Sequence, residues 1–156
     1  MNDTQINYLI LTWKPEINKE FKEPDFNALV SKSRKNGYVD TKWRFLSKNF
    51  NTNDIVLVIR QGKETGLIGF GHILLNESDV DADSMTHYST VRLVNLRSTN
   101  EHPFLSKELL LNIGFRKSIL ETQASGLVTL SAEEISFLQT HVMNTYKKSV
   151  EDMCFG

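Results

Sequence analysis

The chain has little of what covalent or metal scaffolds are made from. Its single cysteine, Cys154, allows no internal disulfide and no cysteine-based zinc site, and points to a reducing cytoplasm. Its four histidines, His72, His87, His102 and His141, have no partner at ligand spacing, and no HExxH pattern occurs. The acidic run from Glu77 to Asp83 alternates like a calcium loop but lacks the glycine and the closing glutamate of an EF-hand. No stretch approaches the ~20 apolar residues of a membrane span. The early apolar run of INYLILTW has no basic flank or small-residue cleavage site before it, so it reads as a strand and not a signal peptide. Ser125, in Ala124-Ser125-Gly126, stands outside the strand–GxSxG–helix setting of a hydrolase nucleophile. Gly62-Lys63 and Gly66-Leu67 have the wrong spacing for a phosphate-cradling loop. These absences predict a binding module and not an enzyme, with no metal and no cofactor.

What is present suits one domain. The chain has 156 residues, of which 40% are hydrophobic, enough for a real core. The net charge of −1 hides an asymmetry. Residues 1–72 carry 11 Lys and Arg against 8 Asp and Glu, whereas 73–156 carry 7 against 11. Between positions 32 and 48 stand Lys32, Arg34, Lys35, Lys42, Arg44 and Lys48 against Asp40 alone. The ordinary role of such a cluster is a solvated surface, yet a local cationic patch can contact phosphates on a near-neutral protein.

Periodicity gives the elements. Residues 6–12 predict a strand ended by Trp13 and Pro15. Asp25 can cap a helix carrying Phe26, Leu29 and Val30, with Gly37 as its stop. Residues 38–53 read as a long connection, 54–60 as a central strand apolar on both faces, and 67–75 as its hairpin partner. Gly69 and Gly71 in that partner mark a close approach by a backbone or a ligand. An acidic loop over 76–86, a strand over 87–96 and a helix over 103–113 follow. After a loop over 120–126 and a short strand over 127–129, Ser131 and Glu134 spell a capping box. The helix behind it carries Ile135, Leu138, Val142, Met143 and Tyr146, and residues 147–156 read as a tail or a linker to an effector region.

Trp13 and Trp43 both stand in polar or cationic settings, Thr-Trp-Lys-Pro and Lys-Trp-Arg, where strands end. Core packing is the default for an indole. Two facing indoles can instead sandwich a base, each stacked face contributing ~1–3 kcal/mol. The order LTWKP, a Trp-containing segment, NDIVLVIRQG, GLIGFGHI and QASGLVTLS is similar to EVE-type domains of the PUA-like superfamily, related to YTH domains. The likeness runs from about Leu9 to Val142, on short motifs: Asn53-Asp54, Ile55 to Ile59, Arg60-Gln61-Gly62, Gly66 to Gly71 and Gln123 to Gly126. It departs at Asn53, where the pattern has glycine, and asparagine tolerates the left-handed turn.

The resemblance implies an α+β, PUA-like (EVE/YTH-like) small twisted β-barrel flanked by helices, spanning 1–146. It implies a reader of double-stranded DNA that flips a methylated or hydroxymethylated cytosine, or N6-methyladenine, into an aromatic cage. Trp13, Trp43, Gln123, Ser125 and Gly126 would form the cage; Lys14, Lys42, Arg44 and Arg60 would hold phosphates, with Lys32, Arg34 and Lys35 as an outer patch. Such domains serve modification-dependent restriction systems, so a nuclease or GTPase domain or subunit is the implied partner, and the domain itself is expected to be a monomer. The rivals are a reader of modified RNA on the same fold, a small nucleotide-binding domain or enzyme, and an interaction module with both indoles in its core.

Overall fold

The computed structural model describes residues 6–14, 23–45, 51–62, 64–81, 86–121 and 129–156. The β-branched and aromatic runs become strands: β1 (Tyr8–Trp13), β2 (Val39–Phe45), β3 (Ile55–Arg60), β4 (Gly66–Asp81), β5 (Thr86–Leu96) and the short β6 (Leu105–Ser106). The helices are α1 (Glu23–Asn36), α2 (Lys107–Asn112), α3 (Lys117–Glu121), α4 (Ala132–Tyr146) and α5 (Val150–Phe155). The main sheet runs β1-β3-β4-β5-β2, with β6 beside β4. Only the β1–β3 pair is parallel among these pairings. One rung crosses five strands: Tyr8, Ile55, His72, Arg92 and Asp40.

Alternation sends the side chains into two cores. Leu9, Leu11 and Trp13 of β1, with Val56 and Val58 of β3, face Phe26 and Val30 of α1. Ile10, Ile55, Leu57 and Ile59 face the other way, onto Leu110, Leu138, Val142, Val150 and Met153 of the later helices. The strand apolar on both faces is therefore central, as its composition predicts. Gly37 closes α1 at φ 86°, the left-handed conformation that its stop position requires. Asn53 takes φ 72°, so the asparagine does fill the turn position. Gly71 admits its own sheet and not a ligand: a Cβ there would stand 2.2 Å from the Arg92 carbonyl oxygen.

Several expectations change. Helix α1 begins at Glu23, so Asp25 lies inside it and does not cap it, and Leu120 and Glu121, expected as loop, belong to α3. The sheet is α+β and mixed but open, because among the described residues its edges β1 and β2 do not pair. The α1 side chains, with Phe26 fully buried, fill the face that a small barrel would close over. Residues 39–45, expected as connection, are β2: Val39 and Trp43 are buried while Asp40 and Lys42 are exposed, the pattern of a half-buried strand disguised by its charges. The acidic segment is largely strand, since Asp79, Val80 and Asp81 pair with Tyr88, His87 and Thr86, and the ladder overrides weak β-propensity. Residues 150–155 form α5, which buries Val150, Met153 and Cys154 in the core.

The capping box forms as its spacing predicts. The Glu134 backbone donates to Ser131 Oγ at 3.2 Å, and the Ser131 backbone donates to Glu134 Oε1 at 2.9 Å. Glu134 is 3% exposed and also accepts from the Arg116 backbone at 3.0 Å and from Arg116 Nε at 3.2 Å. Burial pushes its carboxyl up, but the Arg116 side chain and the Ser131 and Arg116 amides outweigh that and hold it below the usual range. A folded pKa below the unfolded one stabilises at neutral pH, and that stability disappears as pH falls through the acid range. Glu134→Gln keeps the box but removes the charge, so it is expected to cost about 1.5–3 kcal/mol at pH 7. Urea midpoints measured against pH should show the gap between the two proteins closing toward pH 3. A gap that persists there contradicts this origin.

Candidate nucleic-acid interface

The parallel register of β1 and β3 sets Trp13 opposite Arg60, and the Gln61 backbone donates to the Trp13 carbonyl at 2.8 Å. LTWKP and IRQG, far apart in sequence, thereby meet at the carboxyl ends of the one parallel pair. Beside the indole stand two buried polar groups, Arg60 and Gln61, 6% and 5% exposed, while Thr12, paired with Ile59, faces the other side of the sheet. Arg60 Nη1 donates to the Thr99 carbonyl at 3.2 Å. Asn27 of α1 donates from Nδ2 to Thr99 Oγ1 at 2.9 Å and accepts at Oδ1 from the Thr99 backbone at 3.1 Å. Phe26 stacks on Trp13, with ring centroids 4.2 Å apart and planes 16° off parallel. Both rings are fully buried, so in this structure the stack is a packing contact of the α1-side core.

Trp43 lies elsewhere. From the Tyr8–Asp40 rung, Trp13 is five residues toward one end of the sheet and Trp43 three toward the other. At ~3.3 Å per residue the two are roughly 26 Å apart along the strands. Both belong to the α1-side core, with Val58, Ile73 and Val91 on the strands between them. Trp43 is 3% exposed and opposite Ser89. The structure thus does not bring the two indoles face to face.

The expected phosphate contacts divide as well. Lys42 neighbours Trp43 in β2 and points to the opposite face of the sheet, exposed. Arg44 pairs its backbone with Tyr88. Lys32, Arg34 and Lys35 are exposed at the end of α1, and Lys14 is half-buried just beyond Trp13. Arg34 Nη2 donates to the Leu96 carbonyl at 3.3 Å and pairs with Glu101. Glu101 is pulled down to about 2, first by the Ser98 backbone donor and then by Arg34, against the effect of its desolvation. Gln123, Ser125 and Gly126 lie outside the described residues.

Sequence reasoning missed Asn27, Thr99 and the Phe26 stack. Phe26 carried the signal of a core position, but its partner depends on how α1 crosses the sheet, which no local pattern encodes. Among the described residues, no three His, Cys, Asp or Glu side chains are grouped to hold a metal ion. No helix there is long and apolar enough to cross a membrane. Comparison with known proteins returned no match to a family model, a curated protein or a solved structure. The EVE-type likeness therefore rests on the motifs quoted above.

Proposed function

We propose that the protein is a PUA-like, nucleic-acid-binding module that recognises one modified base in double-stranded DNA, and that Trp13 is the surface on which the flipped base stacks. The observation that supports this reading is the parallel register that joins Trp13 to Arg60 and Gln61. It makes one aromatic and polar corner out of the two motifs that carry the family likeness. A flipped base needs such a pair of features, a planar stacking partner and fixed donors and acceptors for its edge. Phe26 occupies the stacking position in the free protein, and the base takes its place. Lys14 lies beside the corner, and Lys32 and Lys35 on α1 supply an outer field for flanking phosphates. The nuclease or GTPase function of a restriction system would reside on another domain or subunit.

The test is a panel of otherwise identical duplexes carrying adenine, N6-methyladenine, cytosine, 5-methylcytosine or 5-hydroxymethylcytosine, with modified single-stranded RNA in parallel. One modified duplex should bind at least about ten-fold more tightly than its unmodified control, the value of one good stacking or edge contact. Equal affinity across the panel overturns the reading, and a preference for the RNA arm transfers it to RNA.

A further inference from the structure

Helix α1 turns into β2 through Gly37, so β2 starts only at Val39, opposite Leu93. β5 runs on through Val94 to Leu96, and among the described residues no strand continues β2 beside it. A bulge interrupts the other edge: Phe70 pairs with Asn95 and Gly71 with Leu93, which leaves Val94 without a partner in β4. The result is a cavity of about 730 Å³ between the end of α1, the end of β5 and α5. Sites for small molecules span roughly 300–1,000 Å³.

Three cations line this cavity, Arg34, Arg97 and Lys148, against the carboxylate of Asp152. Arg34 and Arg97 share Glu101: Arg34 Nη2 donates to Oε1, and Arg97 Nη1 stands 3.6 Å from Oε2. Two guanidinium groups therefore converge on one carboxylate, and cations outnumber acids. Arg97 is oriented but not satisfied. Its guanidinium lies over the Phe104 ring, 4.4 Å from the centroid. Phe104 is fixed in turn by the edges of Phe70 at 5.1 Å and Tyr146 at 5.7 Å, and the Tyr146 hydroxyl donates to its carbonyl at 2.6 Å. The approach of Arg97 to Glu101 is too long for a hydrogen bond, and its Nε is buried without a partner. A planar fork of five donors is thus held in place with its outer donors available. Lys148, exposed between α4 and α5, pairs with no acid among the described residues.

We propose that this cavity binds the phosphate group of a small phosphorylated molecule, with the Arg97 fork and the Lys148 ammonium as its cationic partners. A guanidinium fork matches two phosphate oxygens, and an ammonium adds a point charge for a third. A carboxylate has two oxygens and would leave one of these partners unmatched. The cavity is far larger than a bare phosphate, so the ligand carries an organic group, for which Val94 and Phe104 provide apolar lining. None of these residues belongs to the Trp13 corner, and the site needs no modified base in order to fill.

Isothermal titration of the full chain, in buffer free of phosphate and sulfate, tests this with inorganic phosphate, adenosine monophosphate and adenosine. Both phosphates should bind, and adenosine should not. Arg97→Gln should weaken phosphate binding about ten-fold or more, the loss of one hydrogen bond between charged groups. Lys148→Gln should weaken it about three-fold, as an exposed ion pair contributes. Glu101→Gln keeps the acceptor for the Ser98 backbone and removes the charge that competes for the arginines, so it should tighten binding about three-fold. Thermal unfolding is recorded for each variant. Failure of wild type to bind phosphate at millimolar concentration overturns the proposal, as does equal affinity in folded Arg97→Gln. Adenosine binding as tightly as its monophosphate overturns it too. Binding of a terminally phosphorylated duplex, lost in Arg97→Gln, when neither small phosphate binds would overturn it and give these cations to a nucleic-acid backbone instead. A flat duplex panel alongside Arg97-dependent phosphate binding supports this cavity while removing the modified-base reading.

Discussion

Ending the chain after Tyr146 is expected to remove the cooperative unfolding transition of the remaining protein. α5 supplies Val150, Met153 and Cys154 to the same cluster as Ile55, Leu57 and Phe70, all buried. At roughly 1.5–3 kcal/mol for each fully buried large side chain, those three account for several kcal/mol. That is comparable to the whole margin of about 5–15 kcal/mol by which domains of this size are stable. The polar cost adds to it. Tyr8 Oη donates to Glu151 Oε1 at 2.8 Å, and its hydroxyl is pushed well up by burial and then by that carboxylate. His72 and Asn95 would lose the carbonyls of Cys154 and Met153, and Gln139, now donating to Tyr8 Oη at 3.0 Å, would keep only half of its cluster. Each of these hydrogen bonds, exchanged for one to water, contributes about 0.5–1.5 kcal/mol. Far-ultraviolet circular dichroism through a urea titration checks this. A truncated protein with an unchanged midpoint would show that α5 is an ornament on a core complete without it.

The same helix shows where sequence reasoning stops. Ser131 and Glu134 were legible because a capping box is a contract between residues three apart. The central position of β3 was legible because apolar residues on both faces admit only a buried strand. Residues 150–155 gave no such signal: six residues with Glu151, Asp152 and a lone cysteine look like a tail. Their burial depends on Gly71 and His72 of β4, which are long-range partners. Likewise Asp40, Lys42 and Arg44 read as a cationic loop, when their alternation with Val39, Thr41 and Trp43 was the strand. Of the candidate site, the pairing of Trp13 with Arg60 followed from two recognisable motifs but needed a parallel register, which sequence does not specify. The separation of Trp43 from Trp13 follows from strand order and register together, which no local pattern encodes.

Trp13 and Phe26 provide the sharpest test, because one core contact makes opposite demands of its two members. Both rings are fully buried and stacked on each other. Trp13→Phe removes volume from a closed core and is expected to cost roughly 1–3 kcal/mol of stability. Phe26→Leu keeps most of the volume and loses the aromatic pair, at about 1–2 kcal/mol. If the contact is only structural, binding of DNA should fall slightly, or not at all, in both. If a flipped base replaces Phe26 on the indole, the functional effects diverge. Trp13→Phe shrinks the stacking partner and should reduce preference for the modified duplex by about ten-fold, since a stacked base contributes ~1–3 kcal/mol. Phe26→Leu removes the competitor for the same indole face and should tighten binding of the modified duplex while leaving the unmodified one unchanged. The base then no longer has to displace a stacked ring before it can dock. Equilibrium titrations of both variants, at a temperature where unfolding curves show each at least ~95% folded, separate the cases. Two destabilised proteins with shifts of the same sign would place Trp13 in the core and nowhere else.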